Sequence, residues 1–123
     1  MRYLILIYDN PASRDVWAGL PDAKRIEALQ GYVDLNKELD VSGESVVHHA
    51  LDDPELTKRV SVHNGQISTT DGPYAEVKEH LAGFYLVECD TIDRAVELAT
   101  RIPEAAHGMV EVRPIRDLSA FGI

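Results

Sequence analysis

The chain has 123 residues, carries a formal net charge of −9 at pH 7 and is 45% hydrophobic. This length fits one domain with one core, spanning residues 1–123. Its Lys and Arg residues are scattered among acidic ones, so the surface repels phosphate backbones and we expect no nucleic-acid binding. Neutral or cationic small molecules, or a basic protein partner, suit the charge better.

Cysteine content and apolar patterning bear on the compartment. Cys89 is the single cysteine, so no intrachain disulfide forms, which suits a reducing environment. Because Cys89 ends an apolar run, we expect a small buried hydrophobe rather than a reactive thiol. The apolar run 3–8 is too short for a signal peptide or a membrane span. The sequence therefore predicts a cytoplasmic protein with no membrane association.

The first half of the chain predicts strand, loop, helix and strand. Residues 3–8 are continuously apolar, as in a strand covered on both faces, and Asp9-Asn10-Pro11 ends it. Residues 11–20 are predicted to be a loop, with Trp17 folded onto the edge of the core. A helix is predicted over residues 21–40 and a second strand over 45–51. The expected apolar stripe of the helix consists of Ile26, Leu29 and Val33, widened by Tyr32, Leu35 and Leu39.

The second half repeats this order after an inserted hairpin. Asn64-Gly65 tolerates positive φ at both residues and predicts a tight hairpin turn between strands 58–63 and 66–69. A strand is predicted over about 81–89, followed by a helix that begins at the N-cap Thr91 and ends at Pro103. The last strand is predicted over 109–114, with Val110 and Val112 facing inward.

These elements predict an α+β fold of the ferredoxin-like plan, β-α-β-β-α-β with a hairpin insert. Two helices cover only one face of such a sheet, yet strands 3–8 and 84–87 are apolar on both faces. A second copy of the sheet is the simplest cover for the other face. The sequence therefore predicts a homodimer in which the two sheets pack face to face.

Several segments together carry a family resemblance. Residues 70–79 read Thr-Asp-Gly-Pro-Tyr-Ala-Glu-Val-Lys-Glu and residues 82–87 read Ala-Gly-Phe-Tyr-Leu-Val; segments 3–8, 93–95 and 110–114 also match. The chain resembles the YCII-related family in its DGPF branch, with Tyr74 in place of the usual Phe. The resemblance implies a dimeric α+β barrel, an activity that is largely unassigned, and a link to extracytoplasmic-function sigma factors.

The resemblance carries over motif positions rather than a mechanism. More distant YCII-related proteins are suspected enzymes because of a His/Asp pair whose His lies near the first helix. This chain has no His before His48, so that half of the pair is not carried over. The positions that match the family motif, for which the family has no assigned roles, are Asp71, Gly72, Pro73, Glu76, Lys78 and Glu79.

Two interpretations of the Asp71 turn are open. Pro73 fixes its own φ and disfavours the α region at Gly72, and Asp71 can accept bonds from backbone amides beyond it. Asp71 then either holds the turn or presents a carboxylate at the mouth of a pocket, for binding or general base catalysis.

The segment after the turn is also open to two interpretations. In an extended chain Glu76, Lys78 and His80 share one face and could handle protons on a small polar ligand. In a helix Glu76 and His80 pair instead. In either conformation the residues could equally form a solvated, self-neutralising strip of charge.

The remaining candidates are single residues on strands. His48 and His49 are adjacent and face opposite sides, so they do not chelate a metal together, and one of them should face the cavity on the dimer side. Glu111 and Arg113 share the face of the last strand opposite Val110 and Val112, where Arg113 either takes part in a cross-strand ion pair or recognises an anion. Tyr74, like Tyr8 and Tyr85, either lines a pocket or packs.

The sequence thus predicts no metal site and no cofactor, since it contains no metal-binding spacing, P-loop or dinucleotide fingerprint. The favoured function is a small-molecule-binding protein or cofactor-independent enzyme with a polar site around the Asp71 turn. The alternative is a non-catalytic regulatory dimer linked to sigma-factor signalling. The candidate catalytic residues are Asp71, His48, Glu76 and Lys78, and the candidate substrate-binding residues are Tyr74, Glu79, His80 and Arg113.

Overall fold

The computed structural model describes all residues, 1–123, and confirms the predicted α+β, ferredoxin-like fold. Short 3-10 turns at Pro54–Leu56, Pro103–His107 and Ser119–Phe121 complete the chain. In chain order the elements are β1 (Arg2–Asp9), α1 (Pro11–Ala18), α2 (Asp22–Ser42), β2 (Ser45–Ala50), β3 (Lys58–His63), β4 (Gln66–Asp71), β5 (His80–Glu88), α3 (Ile92–Ala99) and β6 (Val110–Pro114).

The main sheet is antiparallel throughout and has the strand order β2-β5-β1-β6. The two halves of the chain therefore interleave, as the ferredoxin-like plan requires. The strands β3 and β4 form a separate hairpin. Its turn residues Asn64 and Gly65 have φ of 49° and 77°, as the Asn-Gly pair predicts.

The core lies between the main sheet and the helices. Alternate residues of the central strands, such as Ile5 and Tyr85, are buried on the helix side. Leu35 and Leu39 of α2 and Leu98 of α3 cover them. The opposite side has no helix, and we call it the uncovered sheet face; its apolar residues are half-buried and comprise Leu4, Leu6, Phe84 and Leu86.

The prediction of a loop over residues 11–20 is wrong, because most of this segment is helix α1. Asn10 caps the helix: its side chain accepts from the Ser13 amide at 2.8 Å, and the Asn10 amide donates to Ser13 Oγ at 3.0 Å. Pro11 is preorganised for the first helical position. The expected packing of Trp17 on the core edge is also wrong, since α1 buries no residue and Trp17 is 40% exposed.

The predicted apolar stripe of α2 is correct only in its second half. Leu35 and Leu39 are buried, whereas Ile26, Leu29 and Val33 are exposed. Val33 and Leu35 are two positions apart and therefore lie on nearly opposite sides of the helix. The side that faces the core is that of Leu35 and Leu39, and the side of Ile26 and Val33 faces away from it.

The segment between β4 and β5 adopts neither predicted conformation. Residues 72–79 form turns and bends, so Glu76 and Lys78 share neither a strand face nor a helix with His80. Gly72 has a φ of +82° and donates its amide to the carbonyl of Thr57 at 2.8 Å, which anchors the turn. The interpretation that places Glu76, Lys78 and His80 on one strand face therefore lacks the regular backbone that it needs, whereas Glu76 and Lys78 are exposed to solvent.

An irregularity in the pairing of β1 with β5 sets up the site. The register shifts between Ile7 and Tyr8, so that Tyr8 pairs with Leu81 and Asp9 with His80. A bulge of this kind re-aims the side chains beyond it. Asp9 and His80 consequently lie together where β1 leads into α1.

Candidate active-site cleft

A cavity of about 940 Å3 lies between α1, α2 and the helix side of the sheet, and we call it the helix-side cleft. Its apolar lining includes Trp17, Leu20 and Leu29. Its polar lining comes from every element around it and includes Asp9, Arg14, Tyr32, Asn36, His48, Tyr85 and Glu104. An apolar cavity with a few polar groups is the usual form of a small-molecule site.

One end of the cleft is lined by Asp9 and Arg14, and Arg14 also contacts His80, which does not line this cleft. Arg14 Nη1 donates to Asp9 Oδ1 at 2.6 Å and lies 3.2 Å from His80 Nδ1. Because a guanidinium has no acceptor, His80 Nδ1 is the acceptor in this contact. Arg14 thus joins Asp9 and His80.

The other end of the cleft contains His48. Its ring stacks on that of Tyr85, with centroids 5.0 Å apart and an interplanar angle of 22°. The Tyr85 hydroxyl donates to Asn36 Oδ1 at 2.5 Å. Burial, together with the charge of Glu104, raises the pKa of Tyr85 to about 12, so the phenol stays protonated at neutral pH. Tyr85 therefore acts as a hydrogen-bond donor and not as a base.

The hydroxyl of Tyr32 is likewise a hydrogen-bond donor with a raised pKa. Its hydroxyl donates to Glu104, and burial and this bond both raise the pKa of Tyr32. In contrast, the ring nitrogens of His48 make no hydrogen bond to any residue of the chain. His48 is therefore the group at this end of the cleft that is free to exchange a proton with a ligand.

The four predicted catalytic residues do not converge. Asp71 pairs with Lys58 at the exposed base of the hairpin, and the Asp71 side chain is 81% exposed. Glu76 and Lys78 are exposed in the turn and pair with nothing. His48 alone of the four lines the helix-side cleft. Any role for the other three remains a prediction.

The predicted substrate-binding residues divide between two places. Tyr74, Glu79 and His80 line a second cavity of about 580 Å3 between the hairpin and the start of β5, which we call the hairpin crevice. Glu79 also borders the helix-side cleft. Arg113 is distant from both cavities: it pairs with Leu4 in the sheet and lies, like Glu111, on the uncovered sheet face.

Sequence reasoning missed Asp9 and Arg14. Asp9 follows an apolar run and resembles a simple strand terminator, and Arg14 lies in the segment predicted to be a loop. The signal that was available is the Asn10-Ser13 capping pair, which would have placed Arg14 on a helix beginning directly after Asp9. The contact with His80 depends on the register of β5, which one sequence does not show.

The remaining candidates are the adjacent histidines, a metal site and the single cysteine. His48 and His49 face opposite sides, and His49 lies edge-on to Phe84 on the uncovered sheet face, with ring centroids 6.0 Å apart. No three His, Cys, Asp or Glu side chains lie close enough together to hold a metal ion. Cys89 is buried, as predicted, and burial followed by the charge of Glu44 raises the pKa of its thiol.

None of the helices has both the length and the apolar character required to cross a membrane.

Comparison with known proteins agrees with the sequence motifs. A family model described as the YCII-related domain matches residues 1–119. An uncharacterized protein of Rhizobium meliloti (strain 1021) is 31% identical over 117 residues, which cover 94% of this chain and 92% of that protein. The assignment to the DGPF branch stays a prediction. With nearly the whole chain matched, the protein belongs to the YCII-related family.

Proposed function

We propose that this protein is a small-molecule enzyme that transfers protons without a cofactor, and that the reaction takes place in the helix-side cleft. The observation that carries the proposal is His48, a half-buried imidazole of the cleft with no protein hydrogen bond, beside Tyr32 and Tyr85, whose hydroxyls are both hydrogen-bonded. An imidazole whose ring nitrogens have no protein partner can serve as a general acid or base.

The two ends of the cleft have different tasks. His80, which Arg14 contacts, and Tyr85, on which His48 stacks, are five positions apart on β5, roughly 16 Å of extended strand. One reacting atom does not reach both ends, so proton transfer is assigned to His48. The end lined by Asp9 and Arg14 binds and orients the distal part of the ligand.

The charge of the cleft suggests the class of ligand. Asp9, Glu79 and Glu104 outnumber the one cation Arg14, and the whole chain carries nine excess negative charges. Trp17 and Leu29 supply apolar contact. A neutral or cationic molecule with an apolar portion fits this lining better than an anion.

A thermal-shift screen of neutral and cationic metabolites tests the proposal. Ligands that bind the native state raise its melting temperature by mass action. We expect His48→Gln to abolish the shift, and His63→Gln, on the exposed hairpin, to leave it unchanged. Asp71→Asn tests separately whether the hairpin base takes part.

The proposal fails if no compound stabilises the protein. It fails equally if His48→Gln and His63→Gln respond alike to every compound that does.

A second candidate, a regulatory or interaction dimer, is supported by the hairpin. Val60, Val62 and Ile67 are 65%, 67% and 76% exposed, and a two-stranded hairpin is marginally stable without a covering partner. Under this alternative Val62→Lys weakens association while leaving metabolite shifts unaffected. The link to sigma-factor signalling rests on the family resemblance alone.

A further inference from the structure

The hairpin crevice contains an unusual cation, Arg59 of β3. Its side chain is half-buried and forms no ion pair and no hydrogen bond. Its Nε atom is inaccessible to solvent and has no partner. The guanidinium stands over the ring of Tyr74, 4.9 Å from the centroid. That contact attracts the cation but satisfies none of its five N–H donors.

No other basic residue of the chain is placed in this way. The other half-buried ones, Arg14, Arg25 and Arg94, each donate to a carboxylate. The other unpaired ones are all exposed to water and comprise Lys37, Lys78, Arg113 and Arg116. In a chain with 21 acidic residues and 12 basic ones, a half-buried guanidinium with an inaccessible, unpartnered Nε and no carboxylate beside it is suited to bind an anion.

The surroundings of Arg59 restrict the anion. The crevice has a volume of about 580 Å3 and its apolar walls include Leu51, Val77 and Leu81. A planar guanidinium pairs with a carboxylate through two parallel hydrogen bonds. Asp52 and Glu79 also line the crevice and repel a dianion such as phosphate.

We propose that the hairpin crevice is a binding site for a small organic monocarboxylate with an apolar or aromatic body. The carboxylate pairs with the Arg59 guanidinium, and the body of the ligand lies against Leu51, Val77 and Leu81. This site borders the helix-side cleft at Glu79, but Arg59 and Tyr74 line the crevice alone, and the inference does not depend on the reaction proposed for the cleft.

Titration calorimetry with phenylacetate tests the site, with phenylacetamide as the uncharged match. We expect the acid to bind about tenfold or more tightly than the amide, because a charge-assisted pair replaces a neutral hydrogen bond. This comparison uses the unmodified protein and does not depend on the folding of a variant. Equal affinity of acid and amide, or no binding of either, overturns the proposal.

Substitutions of basic residues test whether phenylacetate binds at Arg59. Arg59→Gln is expected to reduce phenylacetate affinity by about tenfold or more, and Arg59→Lys by less, since a lysine keeps the charge and loses the fork. Lys37→Gln removes the same charge from an exposed position on α2 and is expected to leave the affinity unchanged. If Lys37→Gln weakens binding as much as Arg59→Gln does, the effect is one of net charge and the proposal is wrong.

Two further results overturn the site. If His48→Gln removes phenylacetate binding and Arg59→Gln does not, the acid binds in the helix-side cleft. If Arg59→Gln lowers the oligomeric state of the protein, the partner of the guanidinium is a carboxylate of a second copy.

Discussion

Gly83 lies in β5 where the neighbouring strand β2 comes closest to it. A Cβ atom at this position would be 2.9 Å from the backbone oxygen of His49, nearer than real contacts allow. Since that oxygen belongs to the paired strand, relief requires β2 to move away from β5. We expect Gly83→Ala to lower the free energy of unfolding by about 1–3 kcal/mol, measured by urea denaturation.

The same substitution at Gly31 is the matched control. Gly31 is inside α2, and an added Cβ would make an ordinary contact with Pro103 Cγ at 3.7 Å. Because glycine is less favourable than alanine in a helix interior, Gly31→Ala is expected to stabilise by about 0.5–1 kcal/mol. Equal effects of the two substitutions would show that the approach of β2 to β5 is not as tight as described.

Among the elements, α3 is tied to the start of β2 by a bidentate ion pair. Arg94 donates from Nε to Glu44 Oε2 at 2.9 Å and from Nη2 to Oε1 at 2.8 Å. These bonds hold the pKa of Glu44 below its ordinary value of 4.5. A depressed carboxyl pKa stabilises the fold above the unfolded value, and this contribution is lost as the pH falls through the folded value.

We therefore expect the stability difference between the native protein and Glu44→Gln to be largest at neutral pH and to shrink between about pH 5 and pH 3. A double-mutant cycle with Arg94→Gln should give a coupling energy of about 1–2 kcal/mol at pH 7. Urea denaturation at a series of pH values measures both quantities. A pH-independent difference would mean that Glu44 acts through packing and not through its charge.

At the same scale, the elements show how far one sequence could predict this fold. The strands β1 and β5 were predictable because a short, continuously apolar run bounded by polar residues is typical of a buried strand. The hairpin was predictable from Asn64-Gly65 alone. Helix α1 was missed because it has only eight residues and buries none of them, so the cap at Asn10 followed by Pro11 is its clearest signal.

The candidate sites were less predictable for a related reason. The contact of Arg14 with His80 joins residues 66 positions apart, through a bulge that shifts the register by one residue. Whether Arg59 has a partner depends on every acidic residue near the crevice and not on its own neighbours in the chain. Residue type is local information, whereas the environment of a residue is set by long-range pairing.

The molecule as a whole exposes too much surface for an isolated domain. Its accessible area is 8880 Å2, whereas a folded monomer of 13.7 kDa typically exposes about 6,600 Å2. The excess of roughly 2,300 Å2 per chain is similar to what one subunit of an obligate dimer buries. The uncovered sheet face, with Leu4, Leu6, Phe84 and Leu86, is the apolar part of that surface best shaped for a second copy.

The homodimer proposed from this face can be tested by one substitution. Leu6 lies at the centre of the uncovered sheet face, between Phe84 of β5 and Glu111 of β6. A lysine there would place an unpaired charge within an apolar interface, which is strongly unfavourable. We expect the native protein to have the mass of a dimer in light scattering at micromolar concentration, and Leu6→Lys that of a monomer. Val41→Lys, at a position 90% exposed near the end of α2, should remain dimeric. A native protein that is monomeric under these conditions would show that the sheet face stays in water and that the excess surface does not arise from a missing second copy.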